Sequence, residues 1–207
     1  MTSATPTDTK AQILNATEVL IAERGYASTS VRNIISQAGV NIAAVHYHFG
    51  SKEDLFRAVF SRISSPMVEA QLSLLAAAES AQQTASVEAI LQAFLCPPVE
   101  QLIQNTDAQM IRCQFMGRCW SEPEPVQSIA YESFKASRVA FLDALQQALP
   151  DQSRQTLHWK LDLVIATLVR LISDAGKPNA LLKGAEADEI DAAIERLVRF
   201  LAPGMSA

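Results

Sequence analysis

An all-helical fold follows from three features of the 207-residue chain. Apolar positions recur at three- and four-residue spacing along most of its length. Alternating Val/Ile/Thr runs of the strand type are absent. Glycines and prolines stand at the ends of several periodic segments. The length suits one large domain or two small ones, with ample residues for a core.

The elements follow in order. Residues 1–7 are polar and lack an apolar centre, so they read as a flexible tail and not a secretory signal. A helix is expected over 8–24, where Ile13, Leu14, Ala16, Thr17, Leu20 and Ile21 share a face and Gly25 supplies the stop. Thr29 or Ser30 caps a second helix with Val31, Ile34, Ile35 and Ala38 inward, ended by Gly39. Asn41 caps a third over 42–48, with Val45 and Phe49 facing in beside Val40. Gly50 breaks it. Ser51 caps a fourth, with Asp54 at the capping-box position, and its apolar pattern continues through Leu75 past Pro66. Further helices are expected at 86–105, 107–120, 125–149, 151–175 and 187–202. The stretch 179–184 reads as a loop or ragged helix, and Pro203-Gly204 as the last stop. These segments divide into 1–56, a small three-helix unit, and 57–207, a larger helical unit.

Composition excludes several classes. No uncharged apolar run reaches the roughly 18 residues of a membrane span. Cys96, Cys113 and Cys119 are odd in number and lack metal-ligand spacing, which suits free thiols in a reducing cytoplasm. The net charge is −5, but residues 1–62 carry +1 and the remainder −6. Contact with an acidic polymer would therefore fall to the N-terminal unit.

The segment GVNIAAVHYHFGSK, residues 39–52, concentrates the chemistry. A short helix, a tight glycine turn and a second short helix, braced by an amphipathic helix in front, make a helix-turn-helix. Ala43 and Ala44 are small enough to let the backbone approach base edges. Tyr47, His48 and Lys52 suit phosphates, while Asn41, His46 and Arg32 are candidates for base edges. Competing roles are weaker. His46 and His48 stand two apart on a helix and point to different sides, whereas a zinc pair wants four. No acidic residue lies between Glu23 and Glu53 to orient a catalytic histidine. Tyr47 as a core aromatic and His48 as a helix cap are the bland alternatives. No nucleophile–base pairing, phosphate loop or metal spacing marks an enzyme, and no cofactor is implied.

Residues 10–57 resemble the DNA-binding domain of the tetracycline-repressor (TetR) family. The resemblance rests on Arg24-Gly25, Thr29-Ser30-Val31-Arg32-Asn33-Ile34, Ala38-Gly39-Val40-Asn41, Tyr47-His48-Phe49 and Ser51-Lys52-Glu53-Asp54-Leu55, each at the family's spacing. It implies that the third helix enters the major groove of double-stranded DNA. Arg32, Ala43, Ala44 and His46 would lie at bases. Thr29, Ser30, Tyr47, His48 and Lys52 would hold phosphates. The same segment with LFRAVFSR and the closing RLVRFLAPGM is similar to the TetR subgroup that responds to long-chain fatty acids or their acyl-CoA esters.

The resemblance also implies a homodimer joined by the last two long helices and reading an inverted-repeat operator. Apolar stripes agree with it: Leu161, Val164, Ile165, Leu168 and Ile172 on one helix, and Ile190, Ile194, Leu197, Val198 and Leu201 on the other. A small-molecule effector would occupy the larger unit. Apolar candidates for its pocket are Phe94, Met110, Phe115, Met116, Trp120, Phe134, Phe141 and Trp159, with Arg112 and Arg118 to take an acidic head group. The expected function is a cytoplasmic, ligand-released repressor. The alternatives are a regulator of this fold without a small-molecule effector, and an activator governed by a protein partner.

Overall fold

The computed structural model describes residues 6–81, 84–101, 107–174, 177, 180 and 187–207. The described residues form nine helices and no strand, as the periodicity predicts. The helices are α1 (Pro6–Arg24), α2 (Val31–Ala38), α3 (Ile42–Phe49), α4 (Lys52–Ala81), α5 (Val87–Gln101), α6 (Asp107–Cys119), α7 (Val126–Ala148), α8 (Arg154–Ser173) and α9 (Ala187–Ser206). The expected tail at 1–7 lies outside the described residues up to residue 5, while Pro6 and Thr7 already belong to α1. The expected loop at 179–184 lies outside them too, save Ala180.

Helices α1, α2 and α3 pack on one another as a head. The cap chemistry is local and legible. The Asn33 amide donates to Ser30 Oγ at 3.2 Å, and the Ser30 amide donates back to Asn33 Oδ1 at 3.0 Å. Gly39 takes the left-handed conformation, φ +67°, that lets the chain turn into α3 at no steric cost. The Ala44 amide then donates to Asn41 Oδ1 at 2.9 Å. Ile34, Val45 and Phe49 are buried beneath the turn, as the spacing predicts.

The body is α4 to α9. Helix α4 is 30 residues, about 45 Å at 1.5 Å per residue. It runs unbroken through the expected boundary at 56/57. Its first turns bury Leu55, Phe56, Val59 and Phe60, and its later turns pack on α5 and α7. Phe56 and Phe60 meet Phe115 of α6 at ring-centroid distances of 5.7 and 6.2 Å. Phe60 also meets Phe134 of α7 edge-on at 6.0 Å. Tyr26, between α1 and α2, meets Phe56 edge-on at 5.2 Å and links the head to this aromatic column.

Pro97, Pro98 and Pro203 stand inside helices, and of these only Pro203 was expected as a stop. Pro97 and Pro98 lie inside α5. Pro98 has no N–H, so the Phe94 carbonyl loses its helical donor. Gln71 of α4 replaces it, donating from Nε2 at 2.8 Å, and its Oε1 accepts from Ser137 Oγ of α7 at 2.8 Å. Helix α9 likewise continues past Pro203 to Ser206 instead of ending at 202. Tertiary contacts hold its last turn: the Met205 carbonyl accepts from Gln152 Nε2 at 2.9 Å and Lys160 Nζ at 3.0 Å, and the Met205 side chain is buried.

Candidate functional site

The exposed face of the head presents Arg32, Asn41, Ile42, Ala43, His46 and Tyr47 together. Tyr47 is 84% exposed although aromatic, which rules out its bland reading as a core residue. His46 Nδ1 donates to the Gly50 carbonyl at 2.9 Å, so its Nε2 is left pointing outward. His48 is half-buried with its ring 5.0 Å from Tyr47, edge to face. Ser30 is exposed at the start of α2, and Ala44 is half-buried beside Ala43. Ile42, half exposed at the first turn of α3, had no role in the sequence reading.

Two of the expected phosphate contacts lie elsewhere. Thr29 is 1% exposed, and its hydroxyl donates to the Gly25 carbonyl at 2.7 Å. It secures the α1–α2 turn and does not reach the surface. Lys52 turns inward: Nζ donates to the Tyr26 carbonyl at 2.6 Å and sits 3.9 Å over the Tyr26 ring. Burial holds the Lys52 ammonium below its ordinary pKa, opposed by the Glu122 carboxylate, and burial followed by the Glu53 charge raises the Tyr26 phenol.

The junction of head and body is charged. Glu18 of α1 is buried, paired with Arg62 of α4 and, at 3.3 Å, with Arg112 of α6. Arg118 Nη1 donates to the carbonyls of Ala22 and Glu23 at 3.1 and 2.8 Å, the open C-terminal end of α1. Its Nε faces Glu122 at 3.6 Å. Gly25 has φ +83°, and any Cβ there would collide with the Glu122 carboxylate. Arg112 and Arg118 therefore clamp α6 to α1 and are not available to an acidic head group in the body.

The body holds an apolar cavity of about 40 Å³ among α4, α5, α6, α7 and α8. Of the residues expected there, Phe94, Met116, Trp120 and Phe134 line it. Phe115 and Phe141 are fully buried in the core instead, Met110 packs against that core, and Trp159 is 61% exposed on α8. The sequence reading missed the polar side of the cavity, formed by Gln71, Ser137 and Arg138. Pro98 was the available signal for Gln71, because it frees a carbonyl that a buried amide must satisfy.

The dimer stripes also need correcting. Leu161, Val164, Leu168, Ile172 and Ile194 are buried within the chain itself, so they cannot form an outer face. Ile165, Ile190, Leu197, Val198 and Leu201 are partly buried. Among the described residues the large apolar side chains that α8 and α9 leave exposed are Trp159, Leu163 and Phe200. Among the described residues no cluster of three or more His, Cys, Asp or Glu could hold a metal ion, and no helix is long and apolar enough to cross a membrane.

Residues 13–59 match the family described as bacterial regulatory proteins, tetR family, and residues 92–204 match the tetracyclin repressor-like C-terminal domain. The chain belongs to the TetR family. Members of this family are DNA-binding transcriptional regulators, not enzymes. The transcriptional repressor Rv3405c of Mycobacterium tuberculosis is 42% identical over 57 residues, 28% of this chain and 30% of that protein. The regulator AcrR of Shigella flexneri is 23% identical over 133 residues, 61% of this chain and 60% of its own. The chain thus spans less than two thirds of the curated relatives it matches. The crystal structure of the regulator FadR from Bacillus subtilis, in complex with stearoyl-CoA, superposes with a TM-score of 0.68 at 16% identity, covering 94% of this chain and 98% of that one. At that identity the likeness is one of fold.

Proposed function

We propose that this TetR-family chain is a dimeric, ligand-released repressor that binds an inverted-repeat operator in double-stranded DNA. The observation that carries the reading is the α3 face. It is an exposed aromatic, an outward histidine nitrogen and two small residues set on a rigid, fully capped helix-turn-helix. Arg32, Asn41, Ala43, Ala44 and His46 meet base edges, while Ser30, Tyr47 and His48 hold phosphates. Trp159, Leu163 and Phe200 supply the two-fold contact, which sets two recognition helices about one DNA turn apart.

The effector is a small apolar molecule bound in the body cavity, of the long-chain fatty acid or acyl-CoA kind. A drug-sized ligand needs roughly 300 Å³ or more. A cavity of about 40 Å³ admits one only if its walls part. Met67 and Met116 can change rotamer, but the remaining space must come from helix movement. Helix α6 is one wall, and it carries the arginines that grip α1. Opening the cavity therefore shifts the heads, and DNA affinity falls by the ligand's preference for the opened state.

Selection of bound DNA from a random pool at stated salt, followed by competition with acyl ligands, tests this. The expected result is an enriched inverted repeat released by an acyl compound. A repeat that no apolar ligand releases would leave the regulator and remove the effector. No enriched sequence would overturn the reading of the α3 face.

A further inference from the structure

We infer that the effector carries a free carboxylate and that Arg138 is its counter-ion. The inference rests on the body cavity being the effector site. Its walls are apolar on most sides, with Met67, Phe94, Met116, Trp120, Phe134 and Leu168 among them. The polar groups collect on one side, where Gln71 and Ser137 are already committed to each other and to the Phe94 carbonyl. Arg138 carries the one full charge among the lining residues.

Its setting suits an exchangeable ion pair. The Arg138 side chain is 14% exposed, and Nη2 donates to Asp162 Oδ1 at 2.7 Å and lies 3.4 Å from His158 Nε2. Its Cζ stands 5.3 Å over the Tyr131 ring. Among the described residues Nε and Nη1 take part in no hydrogen bond, so a carboxylate that displaces Asp162 from Nη2 can take Nη2 together with Nε or Nη1 as a two-toothed edge. The Asp162 side chain is 46% exposed and returns to water at little cost when displaced. A carboxylate in an apolar cavity without a cation would be strongly disfavoured. With Arg138 it gains two parallel charged hydrogen bonds. A methyl ester or a thioester of the same chain offers only a neutral carbonyl to that edge.

The test is calorimetric titration of the full chain with sodium dodecanoate, methyl dodecanoate and dodecanoyl-CoA, each below its aggregation concentration. Dodecanoate is expected to bind at least about ten-fold more tightly than the methyl ester, the size of one charged hydrogen bond. Arg138→Gln should erase that preference by weakening acid binding far more than ester binding, and Arg138→Lys should restore part of it. Equal binding of acid and ester to the unaltered protein, or tighter binding of the CoA ester, overturns the role of Arg138 while keeping an apolar effector. Parallel weakening of acid and ester by Arg138→Gln assigns Arg138 a structural role and also overturns it. Failure of all three probes to bind removes the acyl-effector reading, and this inference with it. The comparison on unaltered protein stands even if Arg138→Gln fails to fold.

Discussion

Thr29 and Tyr47 occupy neighbouring stretches of one motif, yet their surroundings give them opposite work. The Thr29 hydroxyl is buried on the Gly25 carbonyl, so Thr29→Val should lower unfolding free energy by about 1–3 kcal/mol, the penalty for an unsatisfied buried acceptor. Denaturant titration would show it, and an unchanged midpoint would return Thr29 to the surface. Tyr47→Ala should leave stability alone and weaken binding to all DNA sequences by on the order of ten-fold. His46→Ala should instead change the preference among operators, as a base-edge contact requires. Filter binding against matched and mutated operators separates the two. The thiols are a further residue-scale case. Burial pushes Cys113 up to about 11, and burial followed by the Glu100 and Asp191 charges pushes Cys96 to about 11. A raised thiol pKa favours the protonated form in the folded chain. Its stabilising contribution is full below pH 9 and lost as pH rises through about 11. Alkylation at pH 8 should be slow in the folded protein and fast in urea. Equal rates would contradict the burial. The sequence motif told that Thr29, Tyr47 and Lys52 matter. It could not tell which of them points outward, because that depends on which backbone carbonyls the folded turn leaves open.

At the scale of elements, α6 touches both the head and the body cavity. Its Arg112 reaches the buried Glu18, its Arg118 holds the end of α1, and its Gly117 lies so close to α8 that an added Cβ would stand 2.7 Å from Ser173 Cα. Glu18→Ala leaves Arg62 and Arg112 without their shared carboxylate. Because Arg112 is partly solvated, the expected loss is about 2 kcal/mol, below that of a fully buried pair. Thermal or urea melts check it. A variant as stable as the parent would show that this ion cluster adds nothing to the Arg118 clamp and the Tyr26–Phe56 contact. The helices themselves were legible, since caps and periodicity are local properties. The exception was the end of α9, which continues past Pro203 because tertiary contacts hold its last turn.

For the whole molecule, the proposed dimer would form through the outer face of α8 and α9. A charge there, such as Leu163→Glu, should leave the fold intact and shift the chain to monomer in sedimentation velocity, with operator affinity falling as the two heads are uncoupled. A dimer that survives would place the contact elsewhere. The fold class and the helix-turn-helix were set by the sequence alone, because capping, turn geometry and spacing act within a few residues. The tertiary structure decided the rest. It buried Leu161, Val164, Leu168, Ile172 and Ile194 of the expected dimer stripes within the chain and gave Arg112 and Arg118 to the head–body clamp. It also placed Arg138 at the apolar body cavity. Those outcomes depend on which helix packs against which, and stripes of leucine, valine and isoleucine carry no label for the neighbour they will meet.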